Sequence, residues 1–282
     1  MAVKAKILRI LRLLAISAKM DLVWLLRDTK YAIAGITADI IGNLAVVSSV
    51  FLVAVRFGGI GGMSSDEVLF MMVYSTMVTG IFTMFGSGNN IHISRIIGRG
   101  QLEHLFIQPL SVRMQLATCG FSPFTGGSNF LVGLILLVIA VRRLELVVTP
   151  FWILSLIAYI LTTMTVIVAR AYLVSSTAFY APVAAEEIAT TAIDDTWFLS
   201  TFPLSGMPAY IQLPLITFLP EGLMAWFPSL CLLGRPPLGF SAYYPMLFAL
   251  VIALVASYVF KKGMNYYVVK GSNRYVPYGF RR

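Results

Sequence analysis

The chain has 282 residues, of which 59% are hydrophobic and 12% charged, with a mean hydropathy of +0.85 and a net charge of +9. A soluble domain carries about twice that charged share, and a disordered chain is poor in apolar residues, so both classes are excluded. An all-α polytopic membrane protein remains. At roughly 30–40 residues per span and loop, the length admits about five to seven spans and no large extramembrane domain.

Residues 1–30 read as a basic amphipathic helix. Ile7, Leu11, Leu14, Ala18 and Leu25 fall on one face, and Lys6, Arg9, Arg12, Lys19 and Arg27 on the other. Such a helix lies along an anionic cytoplasmic leaflet. Asp21 on the apolar side predicts a break there. No short apolar core with a small-residue cleavage site precedes the first long apolar run, so a removable signal peptide is not expected.

The first predicted span covers about 31–57 and carries Asp39 and Asn43 inside an apolar run. Gly58, Gly59, Gly61 and Gly62 predict a tight turn. Ser64-Ser-Asp-Glu predicts a helix cap with acids in the first turn. The second span covers about 67–87, and a polar loop follows over 88–113. The third, about 114–141, is interrupted by the Gly/Pro-rich run at 119–127. The fourth runs over about 150–180 and contains Arg170. Residues 181–206, with Glu186, Glu187, Asp194 and Asp195, are too acidic for a lipid-facing span. They are expected along the cytoplasmic surface or half-buried against the bundle. A fifth apolar region, about 207–233, is broken by Pro208, Pro214, Pro220 and Pro228, which suggests a helix followed by a re-entrant or surface piece. The sixth span is about 243–260, and a basic cytoplasmic tail covers 261–282.

Lys and Arg set the orientation. Seven lie in the N-terminal arm, three in the 88–113 loop and six in the tail, sixteen of the twenty-one in all. All three segments face the cytoplasm if two spans precede the loop and the total is six. Both termini are then cytoplasmic in a multi-pass cell membrane of a prokaryote. The positive charge thus addresses membrane lipids and not nucleic acid.

Little in the sequence supports enzyme chemistry. There is no Gly-x-x-x-x-Gly-Lys-Ser/Thr phosphate loop and no Gly-x-Ser-x-Gly elbow. The only histidines, His92 and His104, are twelve apart, not the four that a metal pair on one helix face requires. Cys119 and Cys231 sit in apolar runs and form neither a metal site nor a disulfide framework. No metal or cofactor is expected on this chain. Asp39, Asn43 and Arg170 are the candidate translocation path, because ionisable groups at membrane depth face the bundle or a cavity. An Asp39–Arg170 pair between the first and fourth spans is one reading, and a structural salt bridge or snorkelling near a span end is another. Glu221 is expected near the outer surface.

The segment from Ser94 to Ser111 is the most informative. Gly98 and Gly100 turn the chain, Leu102, Leu105, Phe106 and Ile107 make a short apolar edge, and Pro109 stops it. A short amphipathic helix in a cytoplasmic loop is shaped to dock in a groove of another protein. A plain interfacial loop helix has the same pattern.

The run from Gly58 to Leu69, a span, and then Arg99-Gly-Gln-Leu-Glu-His-Leu-Phe-Ile-Gln-Pro-Leu resembles the membrane subunits of type-2 ABC exporters. The likeness is to the six-span permeases found beside daunorubicin-type ATPases. Phe202-Pro-Leu-Ser-Gly-Met-Pro, Thr217-Phe-Leu-Pro, Pro228 and Leu233-Gly-Arg resemble that family's late region, and so does a basic helix past the last span. Gln108 stands where members often carry a basic residue.

This resemblance implies a permease without an engine of its own. Two permease subunits, identical or homologous, form the path, and two ABC ATPase subunits bind below, holding ATP and Mg. Residues 99–110 would be the coupling element. Arg99, Gln101, Leu102, Glu103, His104, Leu105, Phe106 and Pro109 are the coupling residues, with Glu103 and His104 as polar contacts and Leu105 and Phe106 as apolar anchors. The substrate expected is lipid-like, drug-like or a glycolipid. A proton-coupled secondary transporter and a membrane scaffold are the alternatives.

Overall fold

The computed structural model describes residues 2–86, 93–98, 100–118, 120–182, 188–189, 191–192 and 202–271. Arg99, His92, Cys119, the four acids of the 181–206 segment and the tail beyond Gly271 lie outside the described residues, and so do the expectations placed on them. Among the described residues the fold is helical, with one isolated bridge between Ile60 and Met63.

The helices are α1 (Ala2–Arg27), α2 (Thr29–Phe57), α3 (Ser65–Gly86), α4 (Ile93–Gly98), α5 (Leu102–Phe106), α6 (Val112–Thr118), α7 (Ser128–Arg143), α8 (Pro150–Ser175), α9 (Ala209–Thr217), α10 (Trp226–Leu232) and α11 (Tyr244–Lys270). A 3-10 turn, Ser176–Phe179, extends α8. Among the described residues α2, α3, α8 with its turn, and α11 are long and apolar enough to cross a membrane.

α3 is the centre of the bundle. About 72% of its most apolar window is buried, against 11% for α2, which therefore presents most of its surface outward. α3 meets α7 almost backbone to backbone. A Cβ on Gly80 would sit 2.0 Å from Phe130 N, and one on Gly133 would sit 2.7 Å from Met77 N. Small residues at a crossing are how membrane helices gain contact area without a hydrophobic drive between them. The expected cap of α3 is present in reciprocal form. Glu67 N donates to Ser64 Oγ at 3.3 Å and Ser64 N to a Glu67 carboxylate oxygen at 2.8 Å.

α1 does not break at Asp21. Its side chain leaves the helix and receives Phe124 N at 2.8 Å and the Thr125 hydroxyl at 2.6 Å. The break comes instead at Asp28, whose φ of −113° and ψ of 43° are non-helical. The third span is interrupted between α6 and α7. Its free backbone is satisfied by Asp21 and by α3, where Thr83 Oγ1 donates to Gly126 O at 2.7 Å and Ser122 N to Met84 O at 2.9 Å. Irregular backbone at membrane depth survives only when protein partners replace the lost ladder.

The path of residues 202–235 follows from where their ends are tied. The bundle has a turn face, carrying Gly58–Gly62, and a loop face, carrying α4 and α5. The chain is at the loop face at Phe179, which packs with Ile93, Ile97 and Phe260. By Gly206 it is at the turn face, because the Gly61 backbone touches the Gly206 backbone there. Arg235 is at the turn face too, paired with Glu67. The 207–233 region therefore starts and finishes at one face. α9 and the following piece, Pro220–Leu232, bend by 74°, and with both ends at one face they have the shape of the re-entrant piece that the prolines suggest.

Candidate functional site

Two places collect the polar residues singled out by the sequence. The first is the loop around α5. Leu102 is fully buried and packs with Ile97, Leu116, Phe179 and Phe260. It anchors the loop to its own bundle and offers no surface to a partner. Leu105 is half-buried in the same cluster. The Glu103 carboxylate accepts the Tyr267 hydroxyl, and the Phe106 and Tyr267 rings lie 6.4 Å apart. Gln115, 6% exposed, donates through Nε2 to both Leu105 O and Leu110 O at 2.8 Å. Arg9 on α1 reaches Pro109 O at 3.3 Å.

The underside of this loop is thus fixed by three separate elements, α1, α6 and α11. Its outer side shows Gln101, His104, Phe106, Ile107, Gln108 and Pro109 to solvent. Ile107 is 82% exposed and forms the tip. The arrangement is an apolar knob with a polar rim on a rigid base, which is the form of a docking element. Sequence reasoning missed Gln115 and Tyr267. Tyr267 had a readable signal, since it falls seven residues after Phe260 on one helical stripe. Gln115 had none beyond being a polar residue at a helix start.

The second place is inside the bundle. Arg170 Nη2 lies 2.8 Å from Glu221 Oε1, with side chains 12% and 2% exposed. The same nitrogen donates to Ala192 O at 3.2 Å. Arg170 therefore pairs with Glu221 and not with Asp39, and Glu221 is buried. Thr163, two turns earlier on α8, holds the Tyr74 hydroxyl at 2.9 Å. Asp39 is exposed on α2, and Asn43 is half-buried, donating to Asp39 O at 2.8 Å and to Asn129 Oδ1 at 2.9 Å. The structure brings Asn43 to α7 and leaves Asp39 outside the bundle.

Among the described residues no three His, Cys, Asp or Glu side chains come together to hold a metal ion. A fixed loop with an exposed knob and a polytopic helical bundle agree with the family comparison. A family model described as "ABC-2 family transporter protein" matches residues 41–271. The chain belongs to the ABC-2 transporter family. No curated protein and no solved structure matches it.

An ABC-2 permease is the multi-pass membrane component of an ABC transporter and works with an ABC ATPase subunit. The matched region begins within α2 and ends just past α11, so it includes the loop, the ion pair and the hairpin alike. The ABC-2 assignment agrees with the resemblance read from the Gly58 and Arg99 segments.

Proposed function

We propose that this ABC-2 permease is one half of a membrane pair that exports a lipid-like, drug-like or glycolipid substrate, driven by two ATPase subunits that dock on the 101–109 loop. ATP and Mg belong to those subunits. The observation that carries this reading is the exposed Phe106–Ile107 knob on a base tied to three helices. A load applied to the knob passes into α1, α6 and α11 together. ATP-driven closure of the ATPase pair pulls the two loops inward, and the permease halves rearrange around the path. The loop face, with both termini, lies on the cytoplasmic side of the cell membrane, which the Lys and Arg distribution supports.

A second permease, identical or homologous, covers the outward face of α2. Asp39 is exposed there, and the added Cβ of either Gly35 or Gly42 would meet nothing within 4 Å. A bare carboxylate at the bilayer centre costs at least ~2.5–3.5 kcal/mol, so a covered one is favoured. The path then runs along Asp39 and Asn43, with the Arg170–Glu221 pair behind it.

The test is a double substitution, Phe106→Asp with Ile107→Asp, in the tagged chain. Co-purification of the ATPase should be lost while the permease still folds. Normal co-purification and transport in this variant would sink the docking assignment. Oxidative cross-linking of Gly35→Cys in native membranes tests the pair, and a product at monomer size alone would exclude α2 as the contact.

A further inference from the structure

We propose that the cleft between α8 and α11 binds one acyl chain of an anionic phospholipid from the loop-face leaflet, with its phosphate on Lys261. The cleft encloses about 460 Å³ and is lined by Met164, Val168 and Tyr172 on α8 and by Ala253, Ser257 and Phe260 on α11. Ala253, Ala256 and Ser257 are too small to close the gap that the larger α8 side chains leave opposite them.

The dimensions fit one leaflet. The α8 lining runs from Leu161 to Tyr172, and eleven residues of helix rise about 16 Å, roughly half of a ~30 Å hydrocarbon core. Its loop-face end is marked by the Tyr172 and Phe260 rings, 4.9 Å apart. Its sides are lipid-facing, since Leu161, Leu254 and Tyr258 are all exposed. The chemistry is that of a hydrocarbon chain. The Thr165 hydroxyl is turned to Leu161 O at 2.8 Å, and the rest of the named lining is apolar apart from the Ser257 and Tyr172 hydroxyls.

The headgroup end is cationic. Lys261 lies one turn beyond Ser257 on the same side of α11, and Lys262 follows it. Both are exposed, and among the described residues neither has a hydrogen-bond or ion-pair partner. Glu103, the carboxylate that reaches α11, is bound to Tyr267. Arg170 on α8 is held by Glu221 and Ala192. A free lysine at the leaflet border beside an apolar slot is a phospholipid anchor. This inference needs neither the ATPase nor a transported substrate, so its failure leaves the proposed function standing.

The experiment is native mass spectrometry of the full chain in a mild detergent, with equimolar palmitoyl-oleoyl phosphatidylglycerol or phosphatidylcholine added. The phosphatidylglycerol adduct should exceed the phosphatidylcholine adduct about fivefold, which corresponds to ~1 kcal/mol from one lysine. Lys261→Gln should bring the two to parity, and Lys261→Arg should retain the preference. Ala253→Phe, or Ser257→Leu should the first fail to fold, should fill the slot and remove both adducts. Equal adducts on the unaltered chain would overturn the proposal, as would slot-filling variants that keep their lipid. If Lys270→Gln erases the preference as fully as Lys261→Gln does, the effect belongs to the tail's charge and the site is refuted.

Discussion

Glu221 shows what a single residue decides. Its charge is buried at 2% exposure and is matched by Arg170 at 2.8 Å. Removing one partner of a buried pair leaves an unpaired charge, which costs about 3–5 kcal/mol, whereas replacing both with apolar groups of similar volume is often neutral. Glu221→Ala should therefore lower the thermal unfolding temperature sharply, and the double variant Arg170→Met with Glu221→Leu should recover most of the loss. A single variant milder than the double would show that the pair does not hold the hairpin. The sequence contained both residues but not their pairing. Asp39 and Glu221 were both available to Arg170, and fifty-one positions separate the true partners, so only packing could choose between them.

Among the elements, the turn after α2 and the loop at α5 follow different rules. The turn was legible, because four glycines and the Ser64–Glu67 cap are local signals. Gly61 has a further role that the sequence did not show. Its φ is +58°, and an added Cβ would lie 2.2 Å from Gly206 N. Gly61→Ala should thus cost about 1–3 kcal/mol in backbone strain alone, plus the clash, and should loosen the hairpin from the turn. Limited proteolysis between Leu204 and Arg235 would report it, and unchanged cleavage would contradict the close approach. At α5 the apolar edge was legible but its division was not. Leu102 and Leu105 turn inward while Phe106 and Ile107 turn outward, because α11 runs on to Lys270 and covers one side. Gln115→Leu removes two part-buried hydrogen bonds to the loop backbone, each worth about 1 kcal/mol. On the proposed docking, affinity for the ATPase should weaken severalfold in a binding titration without loss of fold. Equal affinity would mean that the loop is held by its apolar anchors alone.

For the whole molecule, the path of the chain through the bilayer makes the sharpest test. On a background with Cys119 and Cys231 replaced, Phe202→Cys and Leu238→Cys should react with an impermeant maleimide on one side of the membrane. Ile107→Cys and Val269→Cys should react only from the other. Labelling of Phe202→Cys from the same side as Ile107→Cys would put Phe202 at the loop face and sink the hairpin. The sequence by itself determined the membrane class, the family, the interrupted third span and the position of the α5 loop. These rest on composition, local turn chemistry and short-range periodicity, which act within a few residues. Only the tertiary structure decided that 207–233 returns to the face it left, that Glu221 is the partner of Arg170, and that Tyr267 holds Glu103. An apolar run of broken helices is equally suited to a span and to a hairpin. Which one forms depends on where its two ends are tied, and those ties join residues far apart in the chain.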